Sequence, residues 1–250
     1  MSPYFVDAGG AEKIMISEVM PFLKKNTVTE MFFYGTGCKN PANIKMFKNV
    51  FKKLFPEAAI TVDHDLSGAA KALCGHGKGI ACILGTGSNS CFYDGKKIVK
   101  NSPGLGFILG DEGSGAYLGK KVIQHYLYNI FDDDLRARFD AKFATTDSEI
   151  LDAVYKKPLP NRYLASFVSF LIENRGHYMI ENIIEDGIND FFSAHIIRYK
   201  ESEKLPIHFT GGIAYGFREI VKQLCFNYNL QPGIFLRTPM EGLIKYHADR

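Results

Sequence analysis

The sequence predicts an α/β protein. Three observations predict it. Short apolar runs alternate with amphipathic segments over the first 75 residues, the pattern of parallel strands joined by helices. An Asp94-Gly95 pair stands between two strand-like segments, the strongest short hairpin signal. Glycine-rich turns recur at the ends of the apolar runs, where ligands of α/β folds usually sit.

The elements follow in order. Residues 12–25 place Met15, Val19 and Phe22 on one helical face, with Lys24 and Lys25 at the end. Met31 to Tyr34 reads as a buried strand stopped by Gly35. Residues 42–54 carry Ile44, Phe47, Phe51 and Leu54 at helical spacing and stop before Pro56. Ala59 to Val62 is the next strand, and Leu66 to Cys74 a small-residue helix closed by Gly75. Gly79 to Leu84 is a buried strand running into Gly85-Thr86-Gly87-Ser88-Asn89-Ser90. Cys91 to Tyr93 and Lys96 to Val99 flank the hairpin turn. A helix with Leu118, Val122, Tyr126 and Ile130 on one stripe follows Gly115. Residues 132–200 read as mainly helical, with Asp132-Asp133-Asp134 a solvated turn or helix start. Ile207 to Thr210 is a strand that enters Gly211-Gly212 and then one helix through Leu224. Pro239 opens a last short helix.

Composition excludes several classes. The 250 residues are 46% hydrophobic, too apolar for a disordered chain. A net charge of +3 is too even for a general nucleic-acid binder. No apolar run reaches the roughly 18 residues of a membrane helix. Met1 to Gly10 lacks a basic segment followed by an apolar one, so no signal peptide is predicted. Cys38, Cys74, Cys82, Cys91 and Cys225 have no metal-like spacing, and a reducing cytoplasm is expected.

Three segments carry candidate chemistry. Gly85-Thr86-Gly87-Ser88 lets backbone N–H groups approach an anion without Cβ obstruction. No Lys follows it, so it is not a Walker A loop, and a hairpin follows it, so it is not a dinucleotide fingerprint. Taken alone, an ordinary tight turn explains it equally well. Gly110-Asp111-Glu112-Gly113-Ser114-Gly115 puts two carboxylates before a helix. Glu112 and Ser114 read as helix-capping residues. Asp111, short and glycine-flanked, suits sugar hydroxyls. In Asp63-His64-Asp65, Asp65 is either a helix cap or a general base at a strand end, and His64 is a packing residue. Tyr34-Gly35-Thr36-Gly37-Cys38 and Thr210-Gly211-Gly212 are further glycine turns.

Together these segments carry a resemblance. Ile83 to Asn89 resembles the second phosphate motif of sugar kinases in the actin, hexokinase and Hsp70 superfamily. Gly104 to Gly115 resembles the sugar-contacting GDEGS segment of N-acetylglucosamine kinases, and Thr210 to Ala214 the adenosine motif. Asp65, in Asp65-Leu66-Ser67-Gly68-Ala69-Ala70, occupies the place of the catalytic aspartate. The set is similar to the BadF/BadG and N-acetylglucosamine kinase-like group along essentially the whole chain. The resemblance implies a ribonuclease H-like, actin-type ATPase fold of two lobes with a nucleotide cleft. The lobes are expected at 1–77 and 78–236, with a C-terminal helix at 237–250 packing back on the first. It also implies an ATP- and Mg²⁺-dependent sugar kinase acting on N-acetylglucosamine at the 6-hydroxyl, working as a cytoplasmic homodimer. Asp65 would be the base. Gly85, Thr86, Gly87, Ser88, Gly211 and Gly212 would hold the nucleotide. Gly35, Thr36, Gly106 and Asp111 would hold the sugar.

The family's opening D-x-G-x-T motif, its first phosphate element, has no counterpart here. Met1-Ser2-Pro3-Tyr4-Phe5 resembles the segment after that hairpin, with Ser2 near a family sugar-binding Asn. A first lobe shortened by about 30 residues is therefore expected, with self-association and feeble activity. Two other readings stay open: an iron–sulfur ATPase that activates 2-hydroxyacyl-CoA dehydratases, and a non-catalytic sugar sensor.

Overall fold

The structure, a computed structural model, describes Pro3 and residues 6–23 and 28–249. The expectations for Ser2, Lys24 and Lys25 lie outside the described residues. The chain divides into two compact units, Met1–Ala69 and Ala70–Arg250. The division falls upstream of the 77/78 position expected.

In the first unit, α1 (Ala8–Ile14) starts where the Asp7 side chain accepts from Gly10 N. A π-helical turn, Met15–Val19, joins it to α2 (Met20–Leu23). The wider π turn shifts the apolar stripe. Met15 is buried and Val19 packs on the core, but Phe22 is 81% exposed and leaves the expected face. β1 (Glu30–Gly35) follows, then α3 (Pro41–Leu54), which opens on an Asn40 side-chain cap with Pro at its first position. β2 (Ala59–His64) pairs parallel with β1, Gly35 opposite His64. α4 (Asp65–Cys74) begins directly at the end of β2 and closes at Gly75, φ +57°. The core of this unit is aromatic: Phe33 lies 4.8 Å from Phe47 and 5.2 Å from Phe51. Burying each such ring contributes about 1.5–3 kcal/mol.

The second unit is built on a five-stranded sheet. β4 (Ser88–Tyr93) runs antiparallel to both of its neighbours, β3 (Gly79–Leu84) and β5 (Ile98–Ser102). Asp94 Oδ1 accepts from Lys96 N and Lys97 N, and Gly95 takes φ +96°, which sets the hairpin. A four-residue helix that the pattern did not reveal, α5 (Gly106–Leu109), precedes α6 (Gly115–Leu127). The expected stripe ends at Tyr126. Asn129 adopts φ +55° beyond the helix, and Ile130 is exposed. The helical region comprises α7 (Asp133–Phe143), α8 (Asp147–Tyr155), α9 (Pro160–Ser166), α10 (Val168–Glu173) and α11 (Tyr178–Ala194). Asp132 caps α7 through Leu135 N, as a helix start. β6 (Ile207–Thr210) joins β3 in parallel. The single helix expected next is two, α12 (Gly212–Gly216) and α13 (Arg218–Asn227), broken at Phe217.

β7 (Pro232–Leu236) was not legible, because Pro232-Gly233 reads as a turn. The strand order β5-β4-β3-β6-β7 makes it an edge strand, where a first-residue Pro removes no needed donor. α14 (Met240–Ala248) closes the chain. Its Gly242 lies so close to the α4 residue Ala72 that a Cβ would overlap the Ala72 carbonyl. No described helix is long and apolar enough to cross a membrane.

His208, on β6, is wedged between Gly79 and Gly233, and its Nδ1 accepts from Ile234 N at 3.0 Å. Burial holds its imidazole below the ordinary value of 6.5. Above that value both folded and unfolded chains leave it neutral. Below it the unfolded chain takes up a proton before the folded chain does, so stability falls as pH drops from 6.5 toward the lower folded-state value. Melting temperatures of wild type and His208→Asn, followed from pH 7.5 to 5, should converge as pH falls. A constant gap would contradict this assignment.

Candidate functional site

In the first unit the parallel register brings two strand ends side by side. β1 stops at Gly35 and turns through Thr36, and β2 stops at His64 and enters α4 at Asp65. The Thr36 hydroxyl donates to Asp65 Oδ2 at 2.6 Å, and Leu66 N donates to Oδ1 at 2.9 Å. Both oxygens of the expected base are thus oriented, one by the expected sugar-side turn. Among the described residues the one backbone amide that the Asp65 side chain accepts from is that of Leu66, so it does not close the first turn of α4 as an ordinary cap does. Asp63 is tied locally, accepting from His64 N at 2.8 Å and from Ser67 Oγ at 2.6 Å. His64 Nδ1 accepts from Ser67 N at 3.3 Å. The Cys38 thiol is raised by burial, and the charges of Asp65 and Asp63 add to the rise. Gly68 is required for the approach of α4 to β1, since a Cβ there would lie 2.7 Å from the Tyr34 ring.

In the second unit, three glycine turns meet at the ends of β3 and β6. The loop after β3 has its carbonyls tied back. Gly87 O accepts from Gly85 N at 3.0 Å, while Gly85 O and Thr86 O accept from Gly115 N and Ala116 N at 2.8 and 3.0 Å. The amides that open α6 therefore face the loop's carbonyls. The Thr86 and Gly87 N–H groups have no partner among the described residues. A turn with bound carbonyls and unbound N–H groups is an anion nest. Thr86 is exposed, whereas Ser88 is buried and its hydroxyl lacks a partner among the described residues.

Gly211 packs against this loop. Its φ is +119°, and a Cβ there would overlap the Leu84 carbonyl. Only glycine allows β6 to turn this close to the end of β3. Gly211 N donates to Leu236 O at 3.0 Å. Gly212 opens α12 with free space around it.

Asp111 reaches the same loop. Its Oδ1 accepts a long bond from Ser88 N, 3.4 Å, and its Oδ2 stands 2.9 Å from where a Gly87 Cβ would be. Burial raises its carboxyl. The Ser88 amide opposes that, and the neighbouring Glu112 charge adds to it. The residue adopts φ +57°, a left-handed conformation uncommon outside glycine. Gly106 also has a positive φ, +76°, and starts α5. Ser114 caps α6 through Tyr117 N, as expected. Glu112 does not cap: its Oε2 meets His195 Nε2 at 3.1 Å. That partner is 83 residues away in sequence, and no local signal pointed to it.

Comparison with known proteins places this arrangement. No protein-family model matches the sequence. No curated protein matches it. Among solved structures 87 chains match. A putative N-acetylglucosamine kinase of Chromobacterium violaceum is 16% identical over 83% of this chain and 72% of its own, with TM-score 0.65. A ROK family glucokinase of Streptomyces griseus, in complex with glucose and AMPPNP, is 14% identical over 96% and 87%, with TM-score 0.52. At these identities the likeness is one of fold, and the class is the actin-like ATPase fold of sugar kinases. The putative N-acetylglucosamine kinase of Porphyromonas gingivalis is 38% identical over 100% of this chain and 89% of its own, with TM-score 0.95. The chain belongs to the same family as that protein, the N-acetylglucosamine kinase-like family.

Proposed function

We propose that the protein transfers the γ-phosphoryl group of ATP to the 6-hydroxyl of an N-acetylated amino sugar, N-acetylglucosamine first among them. The observation that carries this reading is the loop at 85–87, whose carbonyls are bound and whose Thr86 and Gly87 amides are left for an anion. The acceptor is read from the likeness to the Porphyromonas gingivalis relative, and ATP from the loop chemistry and the resemblance stated for it. The resemblance of the motifs at 83–89 and 104–115 to the BadF/BadG-type group supports this reading.

In this reading Thr86 and Gly87 take the phosphates, Gly211 and Gly212 lie against the adenosine, and Ser88 contributes through its amide. Asp111, Gly106, Gly35 and Thr36 hold sugar hydroxyls. Asp65 accepts the proton of the attacking hydroxyl as the new O–P bond forms and ADP leaves. Among the described residues no three His, Cys, Asp or Glu side chains come together. A Mg²⁺ ion would then be held mainly by phosphates and water, a donor set that suits it. When bound, it neutralises charge on the phosphates.

The iron–sulfur activator reading finds no support in the cysteines. Cys82 and Cys225 are buried, with burial pushing the Cys225 thiol up to about 12 and the Cys82 thiol well above its ordinary value. An ADP-release assay over N-acetylglucosamine, N-acetylmannosamine, N-acetylmuramic acid, glucosamine and glucose tests the reading. Turnover confined to N-acetylated sugars is expected. Turnover with glucose alone would sink the acceptor assignment, and sugar binding without ADP release would favour a sensor.

A further inference from the structure

We infer that His195 is a positioning residue that fixes the Asp111 turn through Glu112. This rests on the sugar-kinase reading of Asp111. His195 follows the last residue of α11, and its backbone N–H donates to Phe191 O at 3.0 Å. Its ring is 5% exposed and stacks on Phe191 with centroids 4.8 Å apart. Nε2 bonds Glu112 Oε2 at 3.1 Å, while Nδ1 is buried without a partner. The Glu112 bond is therefore the ring's polar anchor among the described residues. A residue needed only for packing would place a hydrocarbon here and leave no nitrogen unpaired.

The turn is pinned to α11 at a second point. Gly113, φ +69°, sits so close that a Cβ would lie 2.9 Å from Phe191 Cβ. Phe191, on α11, and His195, just past its end, are four residues apart and stack on one side. Between Glu112 and this face the chain is held on both sides, and Ser114 N closes it onto Asp111 O at 3.0 Å. Asp111 is thereby kept in its left-handed conformation with its carboxylate at Gly87 and Ser88. The same bond draws the Glu112 charge toward a donor, so two adjacent carboxylates can coexist at a site meant to bind a neutral sugar.

The test is a double-mutant cycle on the whole chain, with steady-state kinetics for N-acetylglucosamine and for ATP. His195→Phe keeps the ring stack and removes the donor. Glu112→Ala removes the acceptor from the more exposed side and guards against a folding failure of the first variant. Each should raise the sugar KM about tenfold or more while the ATP KM stays within about twofold. The double variant should be no worse than either single one. Glu112→Gln, whose amide oxygen still accepts from Nε2, should stay near wild type. An unchanged sugar KM in Glu112→Ala, additive losses in the cycle, or an equal rise in both KM values would overturn the inference. If the wild type itself took no sugar, the kinase reading would fall and this inference with it.

Discussion

Asp65→Asn should lower kcat by about 10²–10⁴ and leave sugar affinity close to wild type. The substitution is nearly isosteric. An Asn side chain keeps its oxygen on Leu66 N and donates its amide to the Thr36 hydroxyl oxygen that now bonds Oδ2 at 2.6 Å, so the turn after β1 keeps its partner. What is lost is a carboxylate able to accept a proton as the hydroxyl attacks. Titration calorimetry with N-acetylglucosamine and a coupled kinetic assay separate the two effects. A loss of binding equal to the loss of rate would make Asp65 a sugar ligand, and unchanged kcat would remove it from the chemistry. Thr36→Val gives a milder version. It removes the donor that orients Oδ2, and a fall of about tenfold in kcat is expected with little change in melting temperature.

Gly211→Ala should be the most damaging small substitution in the second unit. Two costs coincide there. The backbone is at φ +119°, where an L-residue is strained by about 1–3 kcal/mol. The added methyl also overlaps the Leu84 carbonyl, a backbone atom that cannot rotate away. Relief requires β6 to retreat from the end of β3 and to carry the turn away from the loop at 85–87. The expected result is a loss of several kcal/mol on the scale of overpacked cores, with at least about tenfold weaker AMPPNP binding in whatever fraction remains folded. Gly212→Ala is the control for stability. Its Cβ meets nothing within 4 Å, so its melting temperature should match wild type. Equal destabilisation by both variants would show that glycine content, and not the close approach at 211, is what matters.

Much of the fold is legible in the sequence because its signals are local. The apolar spacing of Ile44, Phe47 and Phe51 marks α3, and Asp94-Gly95 marks the β4–β5 hairpin. The features that escape depend on partners far along the chain. β7 begins with Pro-Gly and is a strand only because β6 lies beside it, with His208 filling the space that Gly233 leaves open. Phe22 leaves its stripe because the chain inserts a π turn, for which residues 15–19 carry no distinctive signal. At the site, the glycines and Asp111 can be picked out from residue type. The tying of the Gly85 and Thr86 carbonyls to α6, and the Glu112–His195 pair, are products of tertiary packing. Glu112 looked like a helix cap because sequence shows the helix that follows it and not the histidine 83 residues away.

The reaction proposed moves a phosphoryl group from ATP to the 6-oxygen of an N-acetylated sugar. Phosphorus–proton correlation NMR of a reaction containing the protein, ATP, Mg²⁺ and N-acetylglucosamine tests it directly. A new phosphate resonance coupled to the two C6 protons of the sugar, growing in step with ADP, is expected. ADP accompanied by free phosphate and unmodified sugar, or a phosphate coupled to the C1 proton instead, would contradict it.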